Sequence, residues 1–285
     1  MPAAFVRLAC IVALCLGACS NQDQNESIKA MNLGVEAANA QQYSVAERHL
    51  KDAVRVYPEN HRAWYNLGQI YAQQKDWEKA AEAFGKAVEH QSEDAMYQYR
   101  LGKAELMTAQ LPLAETHLQQ AVKLNDRLFK AYWYLGQVYD ATDRPHEAAA
   151  AWTKSATLNP LFGPPFIDLG RLYITWDMLS EAISVLHQGS QNVKDIDRLS
   201  DIYYYLGLAY DRQRQWDEAA QAFSKALEAQ PDNIEAKLQR GFAYAELGKK
   251  DDAEKDLKEF IDRGGGGSAF NLQAANAQLG RLLTH

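Results

Sequence analysis

Apolar positions recur along this chain at helical spacing, in pairs of short segments joined by polar turns. Leu67, Gly68 and Tyr71 share one face of a predicted helix, and Ala80 and Phe84 share one face of the next. A polar stretch, QQKDW at residues 73–77, separates the two segments. The same alternation returns along most of the chain and contains no strand-rich segment. The pattern therefore predicts a succession of amphipathic helix hairpins.

A glycine marks the same phase of each hairpin. Glycines stand 34 residues apart at positions 34, 68, 102, 136 and 170, then after 37 residues at 207 and after 34 more at 241. Gly in a helix interior is less favourable than Ala by about 1 kcal/mol. Because glycine nevertheless recurs at the same position of each hairpin, we infer that the two helices cross there and that their axes must approach closely. One hairpin cannot bury its apolar face alone, so we expect the hairpins to stack into a continuous core.

The repeat resembles the tetratricopeptide repeat (TPR), whose pattern is W-x2-L-G-x2-Y, then A-x3-F, then Pro, over 34 residues. The second and sixth copies carry it at Trp64, Leu67, Gly68, Tyr71, Ala80 and Phe84, and at Tyr203, Leu206, Gly207, Tyr210, Ala219, Phe223 and Pro231. The resemblance implies an all-α fold, a right-handed α-solenoid of about seven helix-turn-helix repeats at residues 27–267. A capping helix is predicted at 268–285, with Ser268 as its N-cap, after a flexible linker DRGGGGS.

Two copies depart from the pattern. The third has Gln98 and Glu105 at aromatic positions, and the seventh has Arg240 where Leu is expected. We expect both repeats to be locally weaker.

The N-terminus carries an apolar run, Leu8–Leu16, that is too short to span a bilayer and is typical of a secretory signal peptide. It ends in LGAC, residues 16–19, which resembles the lipobox of bacterial lipoproteins. The resemblance implies a leader at 1–18, lipidation of Cys19 and a polar tether at 19–26. The residue after Cys19 is not Asp, which in the proteobacterial sorting rule indicates the outer membrane, facing the periplasm. An ordinary cleaved signal peptide with an incidental Cys is the alternative.

The composition of the chain argues against several classes of function. The net charge of -7 and pI near 5.5 argue against a nucleic-acid partner, which requires a basic surface. All three cysteines lie in the first 19 residues, so no disulfide framework braces the body. Phosphate-binding, nucleophile-elbow and HExxH motifs are absent from the sequence, and its histidines are scattered. We therefore expect no enzyme activity, no metal, no cofactor and no small-molecule substrate.

In TPR proteins the first helix of each repeat lines a concave groove. Carried over to this chain, the resemblance implies a protein-binding groove formed by Tyr65, Asn66, Gln69, Tyr99, Arg100, Lys103, Trp133, Gln137, Arg171 and Tyr204. Aromatic anchors beside amides and cations suit an extended or helical peptide. The competing interpretation is that some of the aromatics only fill space between repeats. The carboxylate clamp of some cytosolic TPR domains is incomplete, because Met31 and Val35 occupy two of its positions.

These features predict a lipid-anchored scaffold for a partner protein in the bacterial envelope. Lipobox and repeat array together resemble outer-membrane TPR lipoproteins such as the pilotins of the type IV pilus. The alternatives are a periplasmic chaperone or carrier for exported proteins, and an accessory subunit of a polysaccharide-export complex. The sequence does not name the partner.

Overall fold

The computed structural model describes the backbone of residues 3–284 and the side chains of residues 21–284. All regular structure in these residues is helical: fifteen α-helices, one short 3-10 helix and no strand. The side chains of Cys19 and of the predicted leader at 1–18 lie outside the described part of the chain. The predicted all-α fold is confirmed.

Each repeat consists of a first, or A, helix and a second, or B, helix. The A helices are α1 (Ala3–Asn39), α3 (His61–Gln73), α5 (Ala95–Met107), α7 (Phe129–Ala141), α9 (Pro164–Thr175), α11 (Ile196–Arg212) and α13 (Ile234–Glu246). The B helices are α2 (Tyr43–Val56), α4 (Trp77–His90), α6 (Leu111–Leu124), α8 (Pro145–Leu158), α10 (Leu179–Asn192), α12 (Trp216–Ala229) and α14 (Lys250–Asp262). The 3-10 helix Gly265–Gly267 and α15 (Ala269–Thr284) follow.

The chain divides into two compact units, Met1–Thr142 with α1–α7 and Asp143–His285 with α8–α15. Within each unit, consecutive helices pack on one another, and neighbouring A helices also touch, as α1 touches α3 and α9 touches α11. Each unit is thus a stack of helix hairpins of the α-solenoid type.

The recurring glycines lie where the two helices of a hairpin cross. A Cβ on Gly68 would lie only 2.7 Å from the ring of Phe84 on the B helix. Such a short distance, 2.5–3.0 Å, is found for six pairs whose members are sixteen residues apart: Gly34–Leu50, Gly68–Phe84, Gly102–Leu118, Gly170–Leu186, Gly207–Phe223 and Gly241–Leu257. The partner side chains are buried in the core. The packing role predicted for the glycines is confirmed.

Each turn between an A helix and its B helix contains a residue in the left-handed backbone conformation. Six of these turns have a non-glycine residue with φ between 57° and 62°, and the seventh has Gly248 at 70°. Ala109 illustrates the cost, because an L-residue is strained in this conformation by about 1–2 kcal/mol.

Two of the departures in the third and seventh repeats have polar partners that the sequence analysis missed. Glu105 is buried, and its Oε2 lies 2.7 Å from Nδ1 of His117. Arg240 donates two hydrogen bonds, of 2.6 and 2.8 Å, to the buried carboxylate of Asp256. Gln98 is only half satisfied, since Nε2 donates to the Ser92 carbonyl while Oε1 is buried without a partner. Local weakness therefore stays a prediction for Gln98, and the other two sites hold compensated pairs.

The C-terminal helix begins where the sequence predicts. Ser268 Oγ accepts a hydrogen bond of 3.2 Å from the backbone N–H of Asn271, which confirms the N-cap. Ala275 is buried against the last hairpin, and Leu282 packs beside it. The glycine run differs from the flexible linker expected, because Gly264–267 form a left-handed turn in which Gly265 is buried. A Cβ on Gly265 would lie 2.9 Å from Cβ of Leu272, so the turn is packed.

Among the side chains that the structure describes, the first buried one is that of Ser27. Residues 21–26, assigned to the predicted tether, continue helix α1 with exposed side chains. Ser27 Oγ donates to the Ala53 carbonyl at 2.8 Å and accepts from Asn60 Nδ2 at 2.8 Å, which links the first hairpin to the second. In the second unit, Ser200 forms the same two contacts, with Ala226 and Asn233. Among the described residues, no helix combines the length and apolarity needed to cross a bilayer.

Candidate functional site

The A helices of the first unit form a cleft of about 500 Å³ between α1, α3 and α5. Two of the predicted groove residues, Tyr65 and Asn66, lie in its wall. The remaining lining residues are Met31, Asn32, Val35, Arg62, Asp94, Met96 and Tyr97. The cleft therefore combines apolar, amide and charged side chains from three consecutive repeats.

An aromatic wall closes one side of this cleft. The ring of Tyr65 stacks on that of Tyr97, with centroids 4.7 Å apart and planes at 25°. Burial raises the pKa of Tyr97 to about 12, so its hydroxyl stays protonated, and it lies 3.0 Å from Nδ1 of His61. The sequence analysis missed Tyr97. The available signal was a large ring at a position where two other repeats have alanine, Ala63 and Ala131.

A second cleft, of about 220 Å³, adjoins the first between α1, α2 and α3. Asn66 lines both clefts, and Gln69 lies in the second together with Val35 and Tyr43. The structure thus brings Tyr65, Asn66 and Gln69 onto one continuous surface. Their amides are spaced along the helix so that they can hydrogen-bond the backbone of an extended chain.

Arg100 and Lys103 form a cationic pair on α5, one helical turn apart. The guanidinium of Arg100 lies 5.3 Å from the ring centroid of Tyr99, and its Nε is buried without a hydrogen-bond partner. Neither cation forms a salt bridge with a residue that the structure describes. Burial and the neighbouring charge of Arg100 lower the pKa of Lys103.

The prediction that Tyr99 lines the groove is wrong. Its side chain is 3% exposed and packs in the core with Leu118 and Leu135. The cover comes from Tyr134 of the next repeat, whose ring centroid is 5.9 Å away. Tyr134 was missed by the sequence analysis. Trp133 is half-buried, with its ring 4.5 Å from that of Tyr134. Gln137 lies one turn further along α7 and is also half-buried.

The other predicted residues, Arg171 and Tyr204, belong to the second unit. Arg171 is about half exposed, and its Nη2 lies 3.7 Å from Oδ1 of Asp168. Tyr204 is half-buried and contacts Tyr205 edge-on at 5.4 Å. Burial raises the pKa of Asp211, which lies on the same helix as Tyr204.

No arrangement for catalysis emerges from the described side chains. From residue 21 to 284, no group of three or more His, Cys, Asp or Glu side chains is placed to hold a metal ion. The buried ionisable groups that are present, such as Glu105 with His117, are paired with each other inside a hairpin.

The stacked hairpins, the glycine crossings and the A-helix clefts define an all-α repeat protein of the TPR class. This fold is typically a non-catalytic scaffold for protein interactions. The chain belongs to the tetratricopeptide repeat family: family profiles with that description match residues 31–95, 76–126, 200–233 and 235–263, more than half of the chain.

Several known proteins align with much of this chain. Superkiller complex protein 3 of Mus musculus is 25% identical over 260 residues, which cover 87% of this chain and 16% of that protein. The chain thus spans about one sixth of the length of that relative. The solved structure of Pseudomonas aeruginosa PilF aligns with a TM-score of 0.62 at 17% identity, covering 79% of this chain and 99% of PilF. YrrB, described as a TPR protein with an unusual peptide-binding site, aligns with a TM-score of 0.52 at 21% identity, covering 66% and 95%.

Proposed function

We propose that the protein is a scaffold that holds an extended segment of a partner protein on the A-helix surface of its first unit. The observation that carries this proposal is the pair of adjoining clefts that share Asn66, the larger of which is walled by Tyr65 and Tyr97. Stacked tyrosines supply rigid contact area at low entropic cost. Asn66 and Gln69 supply donors and acceptors for a peptide backbone.

Two further facts support a peptide as the ligand. The clefts are open and are lined by two or three successive repeats, whereas a small-molecule site encloses most of its ligand. Membership in the TPR family, in which YrrB is described as having a peptide-binding site, agrees with this interpretation.

The scaffold is proposed to stand in the bacterial envelope, anchored at Cys19 in the outer membrane and facing the periplasm. The support is the LGAC sequence after a short apolar run. Two or three acyl chains hold a protein stably on a bilayer, at about 0.8 kcal/mol per buried methylene. There the scaffold would aid assembly of an envelope complex, as expected from the pilotin resemblance.

Site-specific photocrosslinking in cells tests the groove. A benzoylphenylalanine at Asn66, which lines both clefts, should give one predominant crosslinked product. The matched control carries the same group at Lys86, an exposed residue of α4 on a B helix, and should not give that product. A broad smear from Asn66 would instead favour a chaperone or carrier that binds many exported chains. Equal products from both positions would contradict a binding site in the clefts.

Fractionation of cells tests the anchor. The Cys19→Ala variant is expected to move from the membrane to the soluble fraction, because the thiol that would receive the lipid is gone. A matched Cys15→Ala variant keeps the LGAC sequence and should remain with the membrane. If the Cys19→Ala protein stays membrane-bound, lipidation is not its sole anchor.

A further inference from the structure

The C-terminal helix α15 keeps the register of an A helix. It contains the Leu-Gly pair of the repeat, at Leu279 and Gly280, and begins as far ahead of this glycine as α11 begins ahead of Gly207. Five residues before the glycine, Ala275 is fully buried, and two residues after it, Leu282 packs on the last hairpin. The residues five before the glycine in repeats two to seven are buried as well: Ala63, Tyr97, Ala131, Pro165, Ile202 and Ala236. α15 therefore docks on the seventh repeat as the next A helix would.

The helix crossing at Gly280 is nevertheless open. A Cβ on Gly280 would meet nothing within 4 Å, whereas a Cβ on six other repeat glycines would lie 2.5–3.0 Å from a side chain of the B helix. Leu283 stands where the second repeat has Tyr71, three residues after the glycine, and is 58% exposed, whereas Tyr71 is 5% exposed. No described helix packs on the face of α15 that carries Gly280 and Leu283. A terminal helix needs a polar outer face for solubility, so an apolar face with a vacant crossing indicates a surface that is covered in use.

The six filled crossings show which chemistry such a face accepts. In each of them the B helix places Leu or Phe over the glycine and carries Ala four residues earlier. The pairs are Ala46–Leu50, Ala80–Phe84, Ala114–Leu118, Ala182–Leu186, Ala219–Phe223 and Ala253–Leu257. All twelve residues are buried. The alanine lets the two backbones approach, since the carbonyl oxygen of Ala114 would lie 3.1 Å from a Cβ on Gly102. The matching occupant is an amphipathic helix with the pattern Ala-x3-Leu or Ala-x3-Phe.

Charge indicates the direction of this occupant. The described part of α15 carries a single charged side chain, Arg281, in its last turn. In an antiparallel hairpin the last turn of the A helix lies beside the first turn of the B helix. Five of the seven B helices carry an acidic residue in that first turn: Glu78, Glu147, Glu181, Asp217 and Asp251. An acidic first turn on an antiparallel occupant would complement Arg281.

A second copy of this chain does not supply such a helix from its described residues. Its α15 has Ala275 and Leu279 at the required spacing, but Ala275 is buried against the last hairpin. The six Ala-x3-Leu and Ala-x3-Phe pairs of its B helices are buried inside their own hairpins. A second copy could use one of them only by opening a hairpin. These observations favour a different protein as the source of the helix.

We propose that the open crossing of α15 binds one amphipathic helix of a partner protein, in the position of a B helix. The helix carries Ala-x3-Leu or Ala-x3-Phe, has an acidic first turn and runs antiparallel to α15. Its Leu or Phe covers Gly280, and its apolar face covers Leu283. This surface is distinct from the clefts of the first unit, which are proposed to hold an extended segment.

The test uses the full chain and two capped peptides that carry an uncharged dye. One peptide has the sequence of α12, Trp216–Ala229, which contains the pattern at Ala219 and Phe223 and an acidic first turn. The other is the same peptide with Phe223→Lys. Fluorescence anisotropy should show that the α12 peptide binds at least about ten-fold more tightly, because the variant cannot bury a ring over Gly280. Its binding should also slow amide hydrogen exchange in α15.

Matched variants of the chain assign the binding to the crossing. Gly280→Leu fills the crossing with a side chain. The variant should remain folded, because the position is exposed and Leu is a better helix former than Gly. It should bind the α12 peptide at least about ten-fold more weakly, because the added side chain blocks close approach. The control, Gly85→Leu, adds the same side chain at another helical glycine whose Cβ would meet nothing within 4 Å, and should leave the affinity unchanged.

Several results would overturn the proposal. Absent binding of the α12 peptide, or equal affinity for the two peptides, would show that the face selects no such helix. Full binding by the Gly280→Leu variant would show that the peptide displaces a resident B helix instead. A dimer in sedimentation equilibrium that is lost in Gly280→Leu would assign the face to a second copy. The photocrosslink at Asn66 tests a different surface, so failure here leaves the proposed scaffold function standing.

Discussion

The close approach at Gly68 allows one chemical change to be tested in two settings of the same repeat. Gly68 lies in α3 and Gly85 in α4, so Gly→Ala adds one methyl group to a helix in both cases. A Cβ at position 68 would lie 2.7 Å from Cδ1 and Cε1 of Phe84, whereas a Cβ at position 85 meets nothing within 4 Å. Phe84 is 1% exposed and is also in contact with Tyr65, so its ring has little room to move.

The expected changes in the free energy of unfolding follow from this difference in packing. Gly85→Ala should stabilise the protein by about 1 kcal/mol, because Ala is the better helix former. Gly68→Ala gains the same propensity term and in addition overpacks the crossing, which typically costs about 1–3 kcal/mol. The difference between the two variants cancels the propensity term. We therefore expect Gly68→Ala to be less stable than Gly85→Ala by about 1–3 kcal/mol.

Urea denaturation followed by circular dichroism measures both variants against the unmodified protein. Repeat proteins can unfold repeat by repeat, so amide hydrogen exchange in α3 and α4 should accompany the midpoints. Both substitutions lie in one hairpin and report on the same local stability. If Gly68→Ala raised the midpoint as much as Gly85→Ala, glycine would not be needed for the crossing, and the explanation of the 34-residue period would fail.

Two further predictions concern the turns and the seventh repeat. Ala109→Gly should stabilise the protein by about 0.5–1 kcal/mol, because it removes the strain of an alanine in the left-handed conformation. Gly248→Ala should destabilise the protein by a similar amount, because it introduces the same strain. Thermal midpoints that move in the same direction for both variants would contradict this. Arg240→Ala should cost about 3 kcal/mol, because it strands the buried carboxylate of Asp256. Adding Asp256→Ala should recover most of that loss in chemical denaturation, and no recovery would show that the ion pair is not the cause.

The sequence predicts the hairpins well because the period and its cause are both local. Gly68 and Phe84 are sixteen residues apart, and both are set by the fold of one repeat. The C-terminal helix is predicted for the same reason, since Ser268 caps a helix whose apolar stripe follows directly. Such features depend on residues within one or two turns of each other along the chain.

The binding surface is harder to predict, because exposure depends on what the next repeat places against a side chain. Tyr65 and Tyr99 occupy the same register, three residues before a glycine. Tyr65 remains half-exposed and stacks on Tyr97, whereas Tyr99 is covered by Tyr134. The position of Tyr134 corresponds to Arg100 one repeat earlier, so the side chains that decide exposure differ between repeats. A register carried over from a family cannot supply this information.

The charged residues that depart from the repeat pattern have partners at one fixed spacing along the chain. His117 and Asp256 both stand fifteen residues after the glycine of their repeat, and each pairs with an unusual residue on the A helix of its own hairpin. The same position is Ala83 in the second repeat, where the A helix keeps the usual pattern. The hairpin is thus the smallest element in which a polar substitution can be balanced. Restoring only the expected residue, Arg240→Leu, would not restore an ordinary repeat, because Asp256 would remain buried without its cation.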